Sequence, residues 1–357
     1  MRQAVAALLL AALQVRELPQ PRALPTTNEQ RFAAFGDYLE SLRVQAGIPG
    51  MAAGIVGASD LAWERVFGQQ DVERGISART DTPFEFDGLT QIFTASLVLR
   101  CVEEGRLSLD DRVDQFVADS PEPSATLRQL LTHTSGDPSD PTFLYRPERL
   151  APLQVAVRRC MGSSFREEVS MLLNRLAMID SVPGLDILTL VPPAEGIPDP
   201  LAVGRYMSAL ERLAKPYVAV PRTRPAPSQY TATTLTPWSG LISSVRDYAQ
   251  FDLALRSGLL IRPDTLLAAW RAPVSRTGQP LPHGLGWFVQ LYNGELIAWQ
   301  IGESDNASSS MLITVPSRGF SLILVANSDS LVKPFALTRG DVTVSPFGRL
   351  FLATFVR

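Results

Sequence analysis

Short apolar runs cluster at both ends of this 357-residue chain, and a long stretch of helical pattern separates them. That arrangement constrains the fold more than any other feature. Residues 51–56 and 61–67 read as two strands joined by the turn Gly57-Ala58-Ser59-Asp60. Residues 284–292, 295–301, 308–315 and 320–327 read as four more, with a hairpin turn at Asn293-Gly294 and another turn at Pro316-Ser317-Arg318-Gly319. Ahead of the first strand, Phe32, Phe35, Leu39, Leu42 and Val44 have helical spacing over 29–46, and Gly47-Ile48-Pro49-Gly50 stops that helix. The pattern predicts further helices over 91–104 and from 127 to 131. It also predicts a mainly helical region over about 120–260, with Pro-rich connections at 191–200 and 221–227, and a last helix over 345–356. Strands at both ends with helices between them imply one antiparallel sheet built from both termini. The expected fold class is α/β (α+β), with a sheet part at about 29–85 and 280–357. A mostly helical part covers about 86–279, and the whole is a single domain over 29–357.

Apolar residues make up 45% of the chain and charged residues 19%, which excludes a disordered protein. The net charge of -3 gives no electrostatic affinity for nucleic acid. The basic residues are almost all arginine; the only lysines are Lys215 and Lys333. Arg2 followed by the apolar run 4–13 and a Pro-rich stretch to Pro25 fits an export leader over 1–25, with a poor cleavage site because Leu10 stands two positions before Ala12. The run is too short for a spanning helix. The expectation is a periplasmic or secreted protein without a stable membrane span, with the cytoplasm left open. Cys101 and Cys160 form no metal pattern. Cys101 lies beside Leu97, Val98 and Leu99 and reads as a buried small apolar side chain; nothing in the sequence brings it to Cys160. No motif points to a metal, nucleotide or other cofactor.

Five segments carry a family likeness. Residues 84–95 run Phe84-Glu85-Phe86-Asp87-Gly88-Leu89-Thr90-Gln91-Ile92-Phe93-Thr94-Ala95, and a helix pattern follows, ending in Glu104-Gly105-Arg106-Leu107-Ser108-Leu109-Asp110-Asp111. Thr126-Leu127-Arg128-Gln129-Leu130-Leu131-Thr132-His133-Thr134-Ser135-Gly136, Leu213-Ala214-Lys215-Pro216-Tyr217, the stretch from Trp238 to Phe251, and His283-Gly284-Leu285-Gly286-Trp287 come after it in order. Together they resemble the serine β-lactamase and penicillin-binding-protein superfamily, whose relatives include class C β-lactamases, D-Ala-D-Ala carboxypeptidases and esterases. The resemblance runs from about residue 30 to about 330. It implies the β-lactamase/transpeptidase-like fold, and fold alone does not settle function.

The catalytic positions of that resemblance are altered. The family's Ser-x-x-Lys supplies a nucleophile and, one helical turn later, a lysine that helps take its proton. Here those positions hold Gly88 and Gln91, and residues 84–95 contain no serine at all. The family's Tyr-x-Asn falls on Tyr145 and Pro147, so the phenol remains while the amide is lost, and the stretch between Gly136 and Tyr145 is short. A tyrosine packed with its hydroxyl at the surface is the other reading of Tyr145. The family's Lys-Thr-Gly or His-x-Gly falls on Gln300-Ile301-Gly302, which keeps the glycine and replaces the cation. Tyr145, Gln91 and Gln300 are the ligand-binding candidates; no metal ligands are expected.

Ser330-Leu331-Val332-Lys333 is the one literal Ser-x-x-Lys, and it reads as a coincidence in a loop before the last helix, away from the cleft. His133 has a structural place at a helix end, and His283 reads as turn or surface. Losing a nucleophile and its base removes about 10⁶ of turnover in an unrelated serine protease, leaving binding and backbone N–H donors. The first reading is a non-catalytic protein that binds a peptide, a peptidoglycan fragment or a protein in the old cleft. The second is a hydrolase (esterase, D-peptidase or β-lactamase-like) with a rearranged nucleophile, for which Ser308, Ser309, Ser310 and Thr90 are candidates. The third is an exported scaffold.

Overall fold

The computed structural model describes residues 27–136, 140–190, 196 and 200–356. The leader-like run, residues 137–139 of the short stretch before Tyr145, and most of the 191–200 connection lie outside the described residues. Helix α1 (Asn28–Ala46) starts at a capping box, in which Thr27 and Gln30 satisfy each other's backbone N–H, and it ends at Gly47. Strands β1 (Gly50–Val56), β2 (Leu61–Asp71) and the short β3 (Ile76–Ser77) follow. The helical middle carries α2 (Thr90–Glu103), α3 (Leu127–Leu131), α4 (Leu153–Met161) and α5 (Phe165–Arg175). It continues through α6 (Pro200–Glu211), α7 (Val245–Arg256) and α8 (Pro263–Ala269). Strands β4 (Phe288–Tyr292), β5 (Glu295–Ser304), β6 (Ser308–Val315) and β7 (Phe320–Ala326) complete the sheet, and α9 (Pro346–Phe355) closes the described chain.

The sheet has the order β4-β5-β6-β7-β1-β2-β3, with every pairing antiparallel. The two ends of the chain join at β1 and β7, where Met51 stands opposite Ala326. Asn327 fastens that seam: its side-chain oxygen accepts from the Gly50 N–H at 2.7 Å, and its amide donates to the Gln69 carbonyl at 3.1 Å. This is the antiparallel sheet from both termini that the apolar runs predict.

The inner strands are covered on both faces, so β1 and β6 are buried throughout rather than alternately. On one face α1 and α9 place Phe35, Leu39, Phe351 and Leu352 against Trp299 and Ile313. On the other, Phe86, Phe93, Tyr248 and Phe251 pack together from α2, its lead-in and α7, with the Phe93 and Phe251 rings stacked at 3.7 Å. Full burial of each such ring contributes roughly 2–3 kcal/mol. Strand β4 begins at Phe288, four residues later than the sequence pattern places it. His283–Trp287 instead folds into a tight turn, with the Gly284 N–H donating to the Trp287 carbonyl at 2.7 Å. Among the described residues no helix is long and apolar enough to cross a membrane.

The structure also decides the pairing of the cysteines, which the sequence leaves open. Cys101 is buried as expected, but it is bonded to Cys160, with Cα atoms 6.2 Å apart. The pairing is invisible in the sequence because it depends on α4 packing against α2. The bond closes a loop across 59 residues, for which chain entropy gives about 4 kcal/mol, with native disulfides ranging over roughly 2–5 kcal/mol. Urea unfolding with and without a reductant is expected to show a stability loss of that size, and the Cys101→Ser variant should behave as the reduced protein does. Coincident unfolding curves would refute the bond.

Candidate functional site

The site forms where the lead-in to α2 meets β5. Phe84 and Glu85 pair with Ser243 and Ile242 as a short antiparallel strand, and a single 3-10 turn over Asp87–Leu89 then turns the chain into α2. Asp87 has φ +42°, a left-handed conformation that glycine, asparagine and aspartate tolerate best. Its carbonyl accepts the Thr90 hydroxyl at 2.6 Å. Gly88 then lies directly against β5. A Cβ at Gly88 would stand 2.4 Å from the Ile301 carbonyl oxygen and 3.0 Å from the Gly302 Cα. A Cβ at Gly302 would stand 2.4 Å from the Phe86 carbonyl oxygen and 2.7 Å from the Gly88 nitrogen. Both obstacles are backbone, so neither yields by a rotamer change. The space that a side chain at 88 would need is filled.

Behind this contact the polar residues bond to one another. The His133 Nε2–H donates to Gln91 Oε1 at 2.9 Å, and Gln91 Nε2 donates to the Tyr145 hydroxyl at 3.0 Å. Tyr145 is within 3.4 Å of Gln300 Oε1, to which it donates. Gln300 Nε2 donates to the Gly286 carbonyl at 3.1 Å and lies 3.4 Å from His283 Nε2, while His283 Nδ1–H donates to the Gly284 carbonyl at 2.7 Å. The three ligand-binding candidates therefore stand in one network. Gln91 and Tyr145 also line the adjoining cleft, whereas Gln300 is fully buried beneath it and also accepts from the Ile301 N–H at 2.9 Å. The Tyr145 hydroxyl is turned inward, not to the surface. Pro147 lines the cleft at the start of a 3-10 turn, Pro147–Leu150.

His283 corrects a second expectation. It is buried, not surface, because the tight turn carries its ring under Phe288 and against His133, with the two imidazole centroids 4.7 Å apart. Burial holds its pKa down to about 3. Burial, then the His283 and Arg149 charges, hold His133 well below the usual range. Every member of the network is thus neutral at physiological pH, and burial raises the Tyr145 phenol further from ionisation.

The cleft itself has a volume of about 450 Å³, and its ionisable lining is acidic: Asp87, Glu303 and Asp305, with no lysine or arginine. Burial first, and then the Glu85 charge, push the Asp87 carboxyl well up. Glu85, buried and accepting the Ser308 hydroxyl at 2.7 Å, is pushed up to about 7 by burial. Glu303 is also raised, by burial first. Sequence reasoning passed over these acids. The available signal was Asp87-Gly88, an aspartate placed just ahead of the position where the family likeness expects a nucleophile.

Comparison with known proteins fixes the family. The Beta-lactamase family profile matches residues 28–163 and 195–342. The chain belongs to the β-lactamase family. It is similar to Protein flp of Staphylococcus aureus, 35% identical over 101 residues, which cover 27% of this chain and 20% of that protein. It is also similar to Esterase EstB of Burkholderia gladioli, 36% identical over 94 residues, 24% of each chain. The matched segments therefore span a quarter or less of those relatives. The octameric penicillin-binding protein homologue from Pyrococcus abyssi superposes with a TM-score of 0.69 at 18% identity, over 84% of this chain and 74% of that one, a likeness of fold.

Within this β-lactamase-family fold the hydroxyls proposed as alternative nucleophiles are all buried. Ser309 Oγ donates to the Ser328 carbonyl at 2.5 Å and Ser310 Oγ to the Phe86 carbonyl at 2.6 Å; Ser308 is bonded to Glu85 and Thr90 to Asp87. Lys333 of the literal Ser-x-x-Lys reaches nearer the cleft than expected, because it pairs with Asp305 at 3.1 Å as well as Asp329 at 2.8 Å. Both partners raise its pKa, so it stays charged and is no base. Among the described residues no group of three or more His, Cys, Asp and Glu is arranged to hold a metal ion.

The chain has only two histidines, so their titration is easily followed. Their imidazole ¹⁵N signals are expected to stay those of neutral rings from about pH 8 to about pH 5, given the depressed values. Because the unfolded chain takes up these protons near pH 6.5 and the folded one does not, their contribution to stability is present above that pH. It is lost as pH falls toward the folded values. Either ring titrating near 6.5 would contradict the buried network.

Proposed function

We propose that this chain is a non-acylating member of the β-lactamase family, whose cleft binds a ligand without forming a covalent intermediate. One observation carries the reading: the volume beyond Gly88 is closed by the Ile301 carbonyl, 2.4 Å from where a Cβ would stand. The neutral set Gln91, Tyr145 and Gln300 supports it, because no group there takes a proton from a nucleophile or holds a positive charge. Alternative hydrolase readings have less support, since Ser308, Ser309, Ser310 and Thr90 are buried and bonded to other groups.

The ligand classes in keeping with the cleft are a peptide, a peptidoglycan fragment or a segment of a partner protein, bound through Tyr145 and Gln91. A periplasmic or secreted location is part of the proposal. The Cys101–Cys160 bond favours an oxidising compartment, as does the leader-like composition of 1–25.

Intact-mass spectrometry after incubation with a reactive penicillin and with a fluorophosphonate is expected to show the unmodified mass in protein that melts cooperatively. A stoichiometric adduct would overturn the proposal, and peptide mapping would name the nucleophile. The Gly88→Ser/Gln91→Lys double variant restores the residue types but not the space. It is expected to lose about 1–3 kcal/mol of stability by overpacking and to remain unacylated. Acylation of that variant at native stability would show that the cleft floor is not closed.

A further inference from the structure

A second cavity, of about 490 Å³, opens in the helical part, where the loop 113–122 faces α3 and the start of α4. It shares no described lining residue with the cleft. The segment 145–149 stands between the two: Tyr145 and Pro147 line the cleft, while Arg146, Glu148 and Arg149 line the second cavity. Its walls are mainly apolar, from Val113, Val117, Leu130, Pro152 and Val155. A concave, mainly apolar chamber of this size with a few fixed polar groups is the usual form of a small-molecule site.

One polar group in that wall lacks a partner. The Arg149 side chain is only 6% exposed. Its Nε and Nη2 donate to the Glu122 carboxylate at 2.8 and 2.5 Å, and Nη2 also donates to the Thr134 carbonyl at 2.9 Å. Nη1 is buried and has no hydrogen-bond partner. A guanidinium stays charged and keeps all its N–H groups, so this donor remains costly until an acceptor meets it. The two bonds to Glu122 fix the plane of the guanidinium, and so the direction of the open N–H groups.

We propose that this cavity is a second ligand site, for an apolar molecule with a neutral acceptor oxygen, such as an amide or ketone carbonyl, received by Arg149 Nη1. Charge decides for a neutral head. The positive charge of Arg149 is already balanced by Glu122, which leaves Asp119 and Glu148 against Arg146. A carboxylate would bring further negative charge to a wall that holds three acids and two arginines. An ammonium group has no acceptor to offer Nη1. The site is separate from the cleft, so the proposal holds whether or not the cleft acylates.

Three probes with one apolar body test it: N-cyclohexylacetamide, cyclohexylacetate and cyclohexylmethylamine. Each is titrated into the full chain, with the Val113, Val117 and Val155 methyl signals and the Arg149 guanidinium signals followed by NMR. The amide is expected to bind saturably, and at least about tenfold more tightly than either ion. Val155→Trp fills the cavity from a half-buried position on α4 and is expected to abolish the shifts. Arg149→Lys keeps a charge for Glu122 and removes Nη1, and it is expected to weaken amide binding about tenfold. No saturable shift in the native protein would overturn the proposal and leave Nη1 to water alone. Cyclohexylacetate binding as tightly as the amide would overturn the neutral head. Unchanged amide binding in a folded Val155→Trp or Arg149→Lys variant would place the probe elsewhere and overturn the site.

Discussion

Gly88 and Gly302 face each other across the junction of α2 and β5, and the absence of two side chains allows two backbones to meet there. The rest of the cleft depends on this contact. It seats the Ser310 hydroxyl on the Phe86 carbonyl at 2.6 Å. It also removes the volume in which a side chain at 88 would stand. A Cβ on either residue would push against backbone held by the sheet on one side and by a helix start on the other, so the strain has nowhere cheap to go.

Charge is distributed to suit this closed arrangement. Below the contact, His133, Gln91, Tyr145, Gln300 and His283 form a chain of donors and acceptors in which burial keeps the ionisable members neutral. A cation in that place would need an anionic partner at a depth where an unpaired charge costs several kcal/mol. Above it, burial raises the pKa of both Glu85 and Asp87, and the Glu85 charge raises that of Asp87 further. Two imidazoles 4.7 Å apart do not both carry charge, and burial lowers the pKa of each.

Much of this was legible in the sequence. The apolar runs at both ends with Asn293-Gly294 between two of them specify an antiparallel sheet, because strand alternation and turn chemistry are local properties. The order of five motifs pointed to the family, and it marked residues 88, 91, 145, 147, 300 and 302 as the candidate site positions. Where local pattern misled, a tertiary contact was the cause. The segment 284–287 has strand composition but turns back on Trp287, and His283, with no local sign of burial, lies under Phe288.

The sequence by itself determined which elements form and which chemical groups stand at the motif positions, since both depend on residues within a few positions of each other. Tertiary structure alone decided what those groups touch. Cys101 meets Cys160 because α4 packs on α2; Gln300 faces inward because β5 lies below the cleft; Gly88 meets Gly302 across more than two hundred residues of chain. Long-range approach depends on the packing of whole elements, and no local spacing encodes it.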